Sequence, residues 1–494
     1  MNLPRLRICA AKDLAVAMGR YKDPDLIVGM FSGESGVCGG PGAELVGEWL
    51  GLDISRIARS TPGFEATLGS RTVVIVWRDS NMVRLVLVGL GEQVSAADLF
   101  DVALWSASRG PAVSTLALEA AGSLDAVAQG HAIGAWRYQR RTNSGPTSAL
   151  EILVEAQAQH DQSRITDAVF RAQIVARATC WVRDHVEMPP NYLGTKVFAD
   201  AIVALAEELA PESVTVERWG ADSLRQQSFG GTLGVGAGSA EPPLAVILRI
   251  DGPGDLTALA GKGIVFDSGG LNVKRDLAEM SWMKSDMAAA ASVAAAVVAA
   301  AALGSSGPVI AVLPIAENMP SGSAVRPGDV LTHPGGRTTE VLDTDSEGRL
   351  LLADAVSFLA SLGPSRLIDV GTLSDSGGVG HRFWGCWTNC AALAGEVVAA
   401  GQRAFDPGWA LPLHPSYQKL LSSRVADIAN APVDVPDSAQ LAATYLRSFV
   451  DAVPWVHIDN GSSAWLTADT FPWPAGPTGT PLRALIELLA PARS

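Results

Sequence analysis

Short runs of apolar residues alternate with longer stretches of mixed polarity along the whole chain. Such an alternation of strand-length and helix-length segments is typical of α/β proteins. The apolar runs predict strands at residues 26–30, 72–77, 85–90, 244–250, 309–314, 367–370 and 455–458. The segments between them predict helices at residues 195–210, 287–303, 350–362 and 482–489. We therefore predict an α/β fold in both halves of the chain.

A helical pattern at about residues 158–185 separates the two halves. We expect it to end before Pro189-Pro190, because two consecutive prolines cannot continue a helix. The 494 residues are enough for two or three domains at roughly 150 residues each. We predict an N-terminal domain at residues 1–160, a linker helix at 161–190 and a C-terminal domain at 191–494, with the segment 469–481 forming an ordered loop before the last helix.

One uncharged stretch, residues 287–316, is long enough on paper to cross a bilayer, which takes about 20 apolar residues. Its first half is mainly alanine, however, and a Gly-Ser-Ser-Gly-Pro break at 304–308 divides it. We therefore predict a buried alanine-rich helix followed by a buried strand, and no membrane partner.

Charge and cysteine content exclude several classes of function. The 37 Lys and Arg residues face 51 Asp and Glu residues, and a net charge of −14 repels phosphate backbones and anionic lipids, so no nucleic-acid partner is expected. The five cysteines show no CxxC spacing and predict neither a disulfide framework nor a thiolate zinc site. Charged residues between positions 5 and 13 interrupt any apolar signal-peptide core, so we expect a cytoplasmic protein.

Two stretches concentrate charge in this charge-poor sequence. In the first, Lys262, Asp267, Lys274 and Asp286 punctuate strand-like and glycine-rich sequence, where burying a charge is costly unless it is paired or binds a metal. In the second, Asp343, Asp345, Glu347 and Arg349 alternate along the chain and would share one side of an extended segment. Carboxylates at this density are hard to hold together without cations.

The second stretch by itself has rival interpretations. It could be a salt-bridged surface turn. It also resembles a calcium-binding EF-hand loop, but the preceding residues 338–342 are strand-like and the twelfth position is Asp354 instead of glutamate. A separate glycine pattern at Gly234, Gly236 and Gly238 lacks the last glycine of a dinucleotide fingerprint, which argues against a nucleotide site.

Together the two stretches resemble the leucyl aminopeptidase (cytosol aminopeptidase) family, whose blocks GKGxxFDSGG, KxDM and NTDAEGRL match residues 261–270, 284–287 and 343–350. Further matches follow in the family's order at 188–192, 317–322, 326–329, 352–355, 426–428 and 455–459. The resemblance covers residues 165–494, and more weakly 85–92. It implies an N-terminal macro-domain-like α/β domain and a C-terminal α/β catalytic domain with a central mixed sheet flanked by helices.

The resemblance also implies an activity and a set of site residues. The protein would be a metal-dependent aminopeptidase that releases N-terminal residues from short peptides as a homo-hexamer. The ligands of two divalent ions, zinc or manganese, would be Lys262, Asp267, Asp286, Asp345 and Glu347, of which Asp267 and Glu347 would bridge both ions. Lys274 would polarise the scissile carbonyl, and Arg349 would hold a bicarbonate acting as general base. Residues of the substrate pocket would be Met283, Thr372, Leu373 and Asp375.

The sequence departs from the family at several of these positions. Asp343 replaces the usual asparagine, and Ala288-Ala289 replace two glycines. The segment Ser374-Asp375-Ser376 replaces a family run that lines the pocket. Asp375 would either favour a basic or polar N-terminal residue of the substrate, or cap the next helix. Two further functions stay open: a specialised metallohydrolase for one pathway peptide or amide, and a weakly active or non-catalytic member with a binding role.

Overall fold

The structure, a computed structural model, describes residues 5–34, 36–108, 110–118, 123–138, 149–154, 162–432 and 434–492. The chain divides into two compact units. The N-terminal unit comprises Met1–Cys180 and Ala468–Ala475, and the C-terminal unit comprises Trp181–Thr467 and Gly476–Ser494. The chain first passes from one unit to the other within a single long helix, Gln162–Glu187. The boundaries expected at residues 160 and 190 remain a prediction.

The N-terminal unit is built on a largely parallel sheet. Its strands are β1 (Arg5–Ala10), β2 (Asp25–Gly33), β3 (Gly36–Gly39), β4 (Arg71–Arg78), β5 (Asn81–Gly89), β6 (Ala112–Ser114) and β7 (Ala149–Val154). Its helices are α1 (Leu14–Gly19), α2 (Ala43–Leu50), α3 (Ile54–Ser60), α4 (Ala96–Ser106), α5 (Leu124–Gly134) and the first part of α6 (Gln162–Glu187). The strand order is β1-β7-β6-β2-β5-β4, with β3 also paired to β2. The β2–β3 and β4–β5 pairs are antiparallel, and the other pairs of this sheet are parallel. The predicted strands at 26–30 and 85–90 are its buried central pair, with Leu26 opposite Leu85.

The C-terminal unit has a larger, mixed sheet. Its first elements are α7 (Thr195–Leu209), β8 (Thr215–Trp219), α8 (Ala221–Gln226), α9 (Gly230–Gly236), β9 (Leu244–Ile250), β10 (Thr257–Gly261), β11 (Gly263–Asp267), α10 (Leu277–Trp282), α11 (Ala288–Leu303) and β12 (Val309–Asn318). They are followed by β13 (Val330–Thr332), β14 (Thr338–Glu340), α12 (Gly348–Ser361), β15 (Arg366–Gly371), β16 (Trp384–Thr388), α13 (Ala391–Arg403), β17 (Gly408–Ala410), β18 (Ile428–Ala429), α14 (Ala439–Arg447), β19 (Trp455–Asp459), α15 (Gly461–Ala464), β20 (Trp465–Leu466), β21 (Gly476–Pro477) and α16 (Leu482–Leu489).

The main sheet of this unit has the order β17-β16-β19-β15-β10-β12-β9-β8, with β11 on β12. Its central strands are parallel, whereas β8, β9 and the β16–β19 pair introduce antiparallel neighbours. Helices α9, α12 and α14 pack on the sheet in one apolar cluster, which includes Ala258, Ala260 and Leu352. The predicted α/β class and the central mixed sheet are confirmed.

Helix α11 explains the uncharged, alanine-rich stretch. A Cβ atom on Gly261 would lie only 2.8 Å from Cα of Ala290, so the end of β10 and the start of α11 are in very close contact. Ala288 and Ala289 are buried here, which places the departure from two glycines at a helix–strand contact. Among the described residues one helical stretch, Leu277–Leu303, is long and apolar enough to cross a membrane, and 83% of its apolar window is buried inside the protein. As predicted, the stretch is a core helix followed by the buried strand β12.

Candidate metal centre

The carboxyl ends of parallel strands bring the two charged stretches to one edge of the main sheet. Strands β10, β11, β12 and β15 run parallel, and ligands of open α/β sheets bind at this edge. Lys262 directly follows β10, and Asp267 is the last residue of β11. Thr372 directly follows β15, and Glu347 is the N-cap residue of α12. The sheet therefore gathers residues that are up to 110 positions apart.

Lys262 lies at the centre of one half of the site and is only 3% exposed. Its Nζ lies 2.7 Å from Oδ1 of Asp286 and 2.9 Å from Oε1 of Glu347. It also donates a hydrogen bond of 2.8 Å to the carbonyl oxygen of Thr372. The Thr372 hydroxyl in turn donates to Asp286 Oδ1 at 2.7 Å, which orients that carboxylate toward Lys262.

Lys274 holds the other half of the site. Its Nζ lies 2.9 Å from Oδ2 of Asp267 and 2.7 Å from Oδ1 of Asp345. The chain turns back through Gly269 and Gly270, whose φ angles of 87° and 64° favour glycine. A Cβ on Gly269 would also lie 2.8 Å from Asp345 Oδ1, so the glycine lets the loop approach this carboxylate. The motif's glycines thus place Lys274 between the two stretches.

Carboxylate oxygens of Asp267, Asp345 and Glu347 lie within 4.8 Å of one another. Asp267 is fixed by two donors, Asn318 Nδ2 at 2.8 Å and the Gly269 amide at 2.9 Å. Among the described residues, Oδ2 of Asp286 and Oε2 of Glu347 are buried oxygens with no hydrogen-bond partner. Buried anionic oxygens without partners are costly, and oxygen-rich clusters of this kind suit divalent cations. The residues present therefore fit a metal centre.

Burial and mutual repulsion shift the pKa values of these groups. Burial raises the pKa of Asp286 and Glu347, and their carboxylate neighbours add to the rise while Lys262 opposes it. Burial and the charges of Asp267 and Glu347 raise the pKa of Asp345 to about 7. Burial lowers the pKa of Lys262 and Lys274, but the surrounding carboxylates outweigh it and both pKa values are raised. The site is thus a compact cluster of opposite charges that influence one another.

Asp343, the extra carboxylate of this chain, lies in the turn before Asp345. Its Oδ1 accepts hydrogen bonds from Asn272 Nδ2 at 2.6 Å and from the Asp345 amide at 3.0 Å. The Asn430 side chain accepts from the amide of Leu342 at 2.8 Å and donates to the carbonyl of Asp343 at 2.7 Å. Asp343 therefore stabilises the turn as a hydrogen-bond acceptor, a common role of aspartate in turns.

The EF-hand interpretation of this stretch is wrong. Asp354 lies within α12 and is fully buried, away from a loop. Its carboxylate accepts from the Thr232 amide at 2.7 Å and lies 2.7 Å from Nδ1 of His333. The salt-bridged alternative is correct only in part, because the partners lie outside this stretch. Asp345 and Glu347 pair with Lys274 and Lys262 of the other stretch, and Arg349 pairs with Asp437.

Arg349 is buried in the first turn of α12, with its side chain 3% exposed. Its guanidinium donates to the carbonyl oxygen of Asn430 at 2.7 Å. It also contacts both carboxylate oxygens of Asp437, at 3.2 Å and 2.5 Å. Sequence reasoning missed Asn318, Asn430 and Asp437; Asn318 stands within a matching family block, whereas no pattern marks Asp437.

The expected pocket residues differ in their surroundings. Met283 is buried in the turn before Asp286, and Leu373 packs against the apolar cluster of α12. Thr372 contacts both Lys262 and Asp286. Asp375 is exposed, and its Oδ1 accepts a hydrogen bond of 3.1 Å from the Gly377 amide. That bond is the one expected of a helix cap.

Comparison with known families covers the part of the chain that carries this cluster. The sequence profile of the catalytic domain of the cytosol aminopeptidase family, Peptidase M17, matches residues 180–486. The chain belongs to the cytosol aminopeptidase family. A "Probable cytosol aminopeptidase" of Micrococcus luteus is 38% identical over 441 residues, covering 82% of this chain and 84% of the relative. That of Cupriavidus pinatubonensis is 32% identical over 501 residues, covering 94% of each.

Solved structures are also similar to this chain. "Bottromycin maturation enzyme BotP" matches with a TM-score of 0.79 and 32% identity over 95% of this chain and 99% of that one. Another solved structure holds that enzyme in complex with Mn and matches equally well. The predicted two-domain α/β fold is confirmed. As a member of this family, the protein is a metallo-aminopeptidase, a metal-dependent hydrolase.

Proposed function

We propose that this aminopeptidase releases N-terminal amino acids from short peptides with two divalent cations, zinc or manganese. The residues that would hold them are Lys262, Asp267, Asp286, Asp345 and Glu347, of which Asp267 and Glu347 would serve both cations. The observation that carries the proposal is the carboxylate cluster in which Oδ2 of Asp286 and Oε2 of Glu347 are buried and have no hydrogen-bond partner among the described residues. Four carboxylates match the four positive charges of two such cations.

The chemistry that two divalent cations would supply when bound is activation of a water nucleophile and polarisation of the substrate carbonyl. The chain's residues prepare the site for this chemistry. Asn318 and the Gly269 amide hold Asp267, and Thr372 holds Asp286, so two of the ligands are already oriented. Lys262 must give up its proton to act as a ligand, because only the neutral amine has a free electron pair; nearby cations favour that form.

Lys274 keeps its proton and supplies a fixed positive charge beside the cations. Its ammonium group lies between Asp267 and Asp345, and its side chain is 9% exposed. A preorganised charge at this position stabilises the negative charge that develops on the scissile carbonyl oxygen. Met283, Thr372 and Leu373 form the adjoining part of the substrate pocket. We further propose that the protein acts as a homo-hexamer in the cytoplasm on peptides, without a nucleic-acid or membrane partner.

The direct test is hydrolysis of aminoacyl-p-nitroanilides and dipeptides by the full chain. We expect turnover after addition of Mn²⁺ or Zn²⁺, its loss after chelation, and no cleavage of peptides whose amino terminus is acetylated. Metal content per chain, measured on the same samples, should approach two. Tight metal binding without turnover on any substrate would contradict the proposed activity.

A second candidate function is a hydrolase for one peptide of a biosynthetic pathway. It is favoured by the likeness over almost the whole chain to a protein described as a bottromycin maturation enzyme. A substrate panel separates the two functions. Broad turnover of unrelated dipeptides supports a general aminopeptidase, whereas turnover confined to a single peptide supports the specialised hydrolase.

Asp375 allows a sharper test of specificity. If its exposed carboxylate only caps the following turn, Asp375→Ala should leave the ratio of turnover on leucyl and lysyl substrates unchanged and cost about 1 kcal/mol of stability. We expect this outcome. Asp375→Asn is the matched control, because the asparagine side chain can still accept the hydrogen bond from the Gly377 amide. A several-fold rise in the leucyl-to-lysyl ratio in both variants would instead place the charge of Asp375 in the pocket.

A further inference from the structure

The guanidinium of Arg349 is occupied by a carboxylate of the chain itself. Oδ1 and Oδ2 of Asp437 lie 3.2 Å and 2.5 Å from the two terminal nitrogens of Arg349, and the Asn430 carbonyl accepts from one of the same nitrogens. This two-pronged arrangement is the strongest that arginine makes with a carboxylate. A bicarbonate at this face of Arg349 would have to displace Asp437, so the residues present do not fit the bicarbonate that the family resemblance implies.

Asp437 is held in this position by more than the arginine. Its Oδ1 accepts from the Ser438 amide at 2.8 Å, and its Oδ2 accepts from the Ser346 hydroxyl at 3.1 Å. Asp437 lies directly before the N-cap residue of α14, where the helix dipole also favours a negative charge. The carboxylate thus has a preformed site.

The contacts of Ser346 connect Asp437 to the metal-site turn. The Ser346 hydroxyl lies 3.1 Å from Asp437 Oδ2 and 3.2 Å from Asp343 Oδ2. Ser346 and Asp343 flank Asp345, and Arg349 lies two residues beyond Glu347. Helices α12 and α14 share the apolar cluster that includes Leu350 and Leu441, which fixes the distance between their first turns. Asp437 is therefore part of the rigid surroundings of the cation ligands.

We propose that Asp437 is the built-in anion of Arg349, a positioning residue that replaces a diffusible bicarbonate and makes turnover independent of it. An attached carboxylate loses less freedom on binding than a free anion, so it outcompetes dissolved bicarbonate. The side chain of Asp437 is 27% exposed, so removing it opens the guanidinium to small anions from solution. The inference rests on the proposed peptidase function.

The test is a bicarbonate titration of the metal-loaded enzyme in carbon-dioxide-depleted buffer, with a leucyl anilide as substrate. We expect kcat/KM of the unaltered protein to change less than about twofold. In Asp437→Ala, kcat/KM without bicarbonate should fall by roughly 10–100-fold, as for other residues that orient a metal site. Added bicarbonate should restore it with saturation, a response that a merely structural role would not produce.

Asp329→Ala is the matched control, since Asp329 also binds an arginine, Arg326, through both oxygens, but the side chain of that arginine is exposed whereas that of Arg349 is buried. Asp329→Ala should show neither the fall in kcat/KM without bicarbonate nor its restoration by added bicarbonate. Strong stimulation of the unaltered protein by bicarbonate would overturn the inference and leave the proposed function intact, even if Asp437→Ala did not fold. Unchanged activity of Asp437→Ala without bicarbonate would overturn it too. Absence of any turnover by the metal-loaded protein would overturn the proposed function, and the inference with it.

Discussion

Glu347→Gln should lose cation binding and turnover while the protein stays folded. Glu347 is 2% exposed, and its Oε2 has no hydrogen-bond partner among the described residues. Glutamine keeps the shape but removes the negative charge that two cations would share. Because even residues behind the ligands typically change metal affinity or activity by about 10–100-fold, we expect a larger loss from a shared ligand.

The same substitution should not weaken the metal-free protein strongly. Glu347 lies among other carboxylates, and burial together with repulsion by Asp267 raises the pKa of Glu347. Removing its charge relieves that repulsion, while Lys262 keeps Asp286 as its partner. The metal-free melting temperature should therefore change little. The rise in melting temperature on adding Mn²⁺, which reports binding to the folded state, should be largely lost.

Calorimetric titration with Mn²⁺, thermal melts and turnover of a leucyl anilide measure these three effects. Glu396→Gln is the control, since Glu396 is an exposed residue of α13 that pairs with Arg366 at 3.4 Å. It should behave as the unaltered protein in all three measurements. Normal Mn²⁺ affinity in Glu347→Gln would remove Glu347 from the proposed ligand set.

Much of the fold was accessible from the sequence because buried strands and helices have distinct apolar patterns. The predicted strand 244–250 and helix 482–489 coincide with β9 and α16. Short or half-exposed strands such as β3 and β13 carry no comparable pattern and were not predicted. The residues Ala468–Ala475 belong to the N-terminal unit, where Phe471 lies against Gly69. A local pattern cannot reveal such a long-range contact.

The candidate site shows the same limit. Lys262 and Asp267 stand out as charges within apolar or glycine-rich sequence. Asp345 and Glu347 stand out as alternating carboxylates in a dense charged segment, and the structure brings all four residues together. The partner of Arg349 could not be found in this way. Asp437 is 88 residues away and stands in an ordinary polar segment, so only the packing of α14 against α12 places it there. Charge spacing predicts which residues need partners but not which partners they receive.

Lys274→Met should reduce kcat by on the order of 10²–10³-fold without loss of cation binding. The ammonium group of Lys274 lies within 2.9 Å of two proposed ligands, Asp267 and Asp345, yet itself donates no electron pair. Removing a positive charge beside these carboxylates should leave Mn²⁺ affinity equal or higher. The metal-free protein should be destabilised by roughly 3 kcal/mol or more, since two largely buried carboxylates lose their partner. Mn²⁺ should restore most of that stability.

Steady-state kinetics, Mn²⁺ titration and denaturant unfolding with and without Mn²⁺ separate Lys274 from the ligands. Lys274→Arg keeps the positive charge and should retain more of kcat than Lys274→Met, although the larger head group cannot take the same position. Lys196→Met removes an ammonium that is paired with Asp200 at the same 2.7 Å but lies on the surface, so it should leave kcat and Mn²⁺ affinity unchanged. If Lys274→Met instead lost Mn²⁺ together with its activity, Lys274 would organise the cation ligands and would not act on the substrate carbonyl.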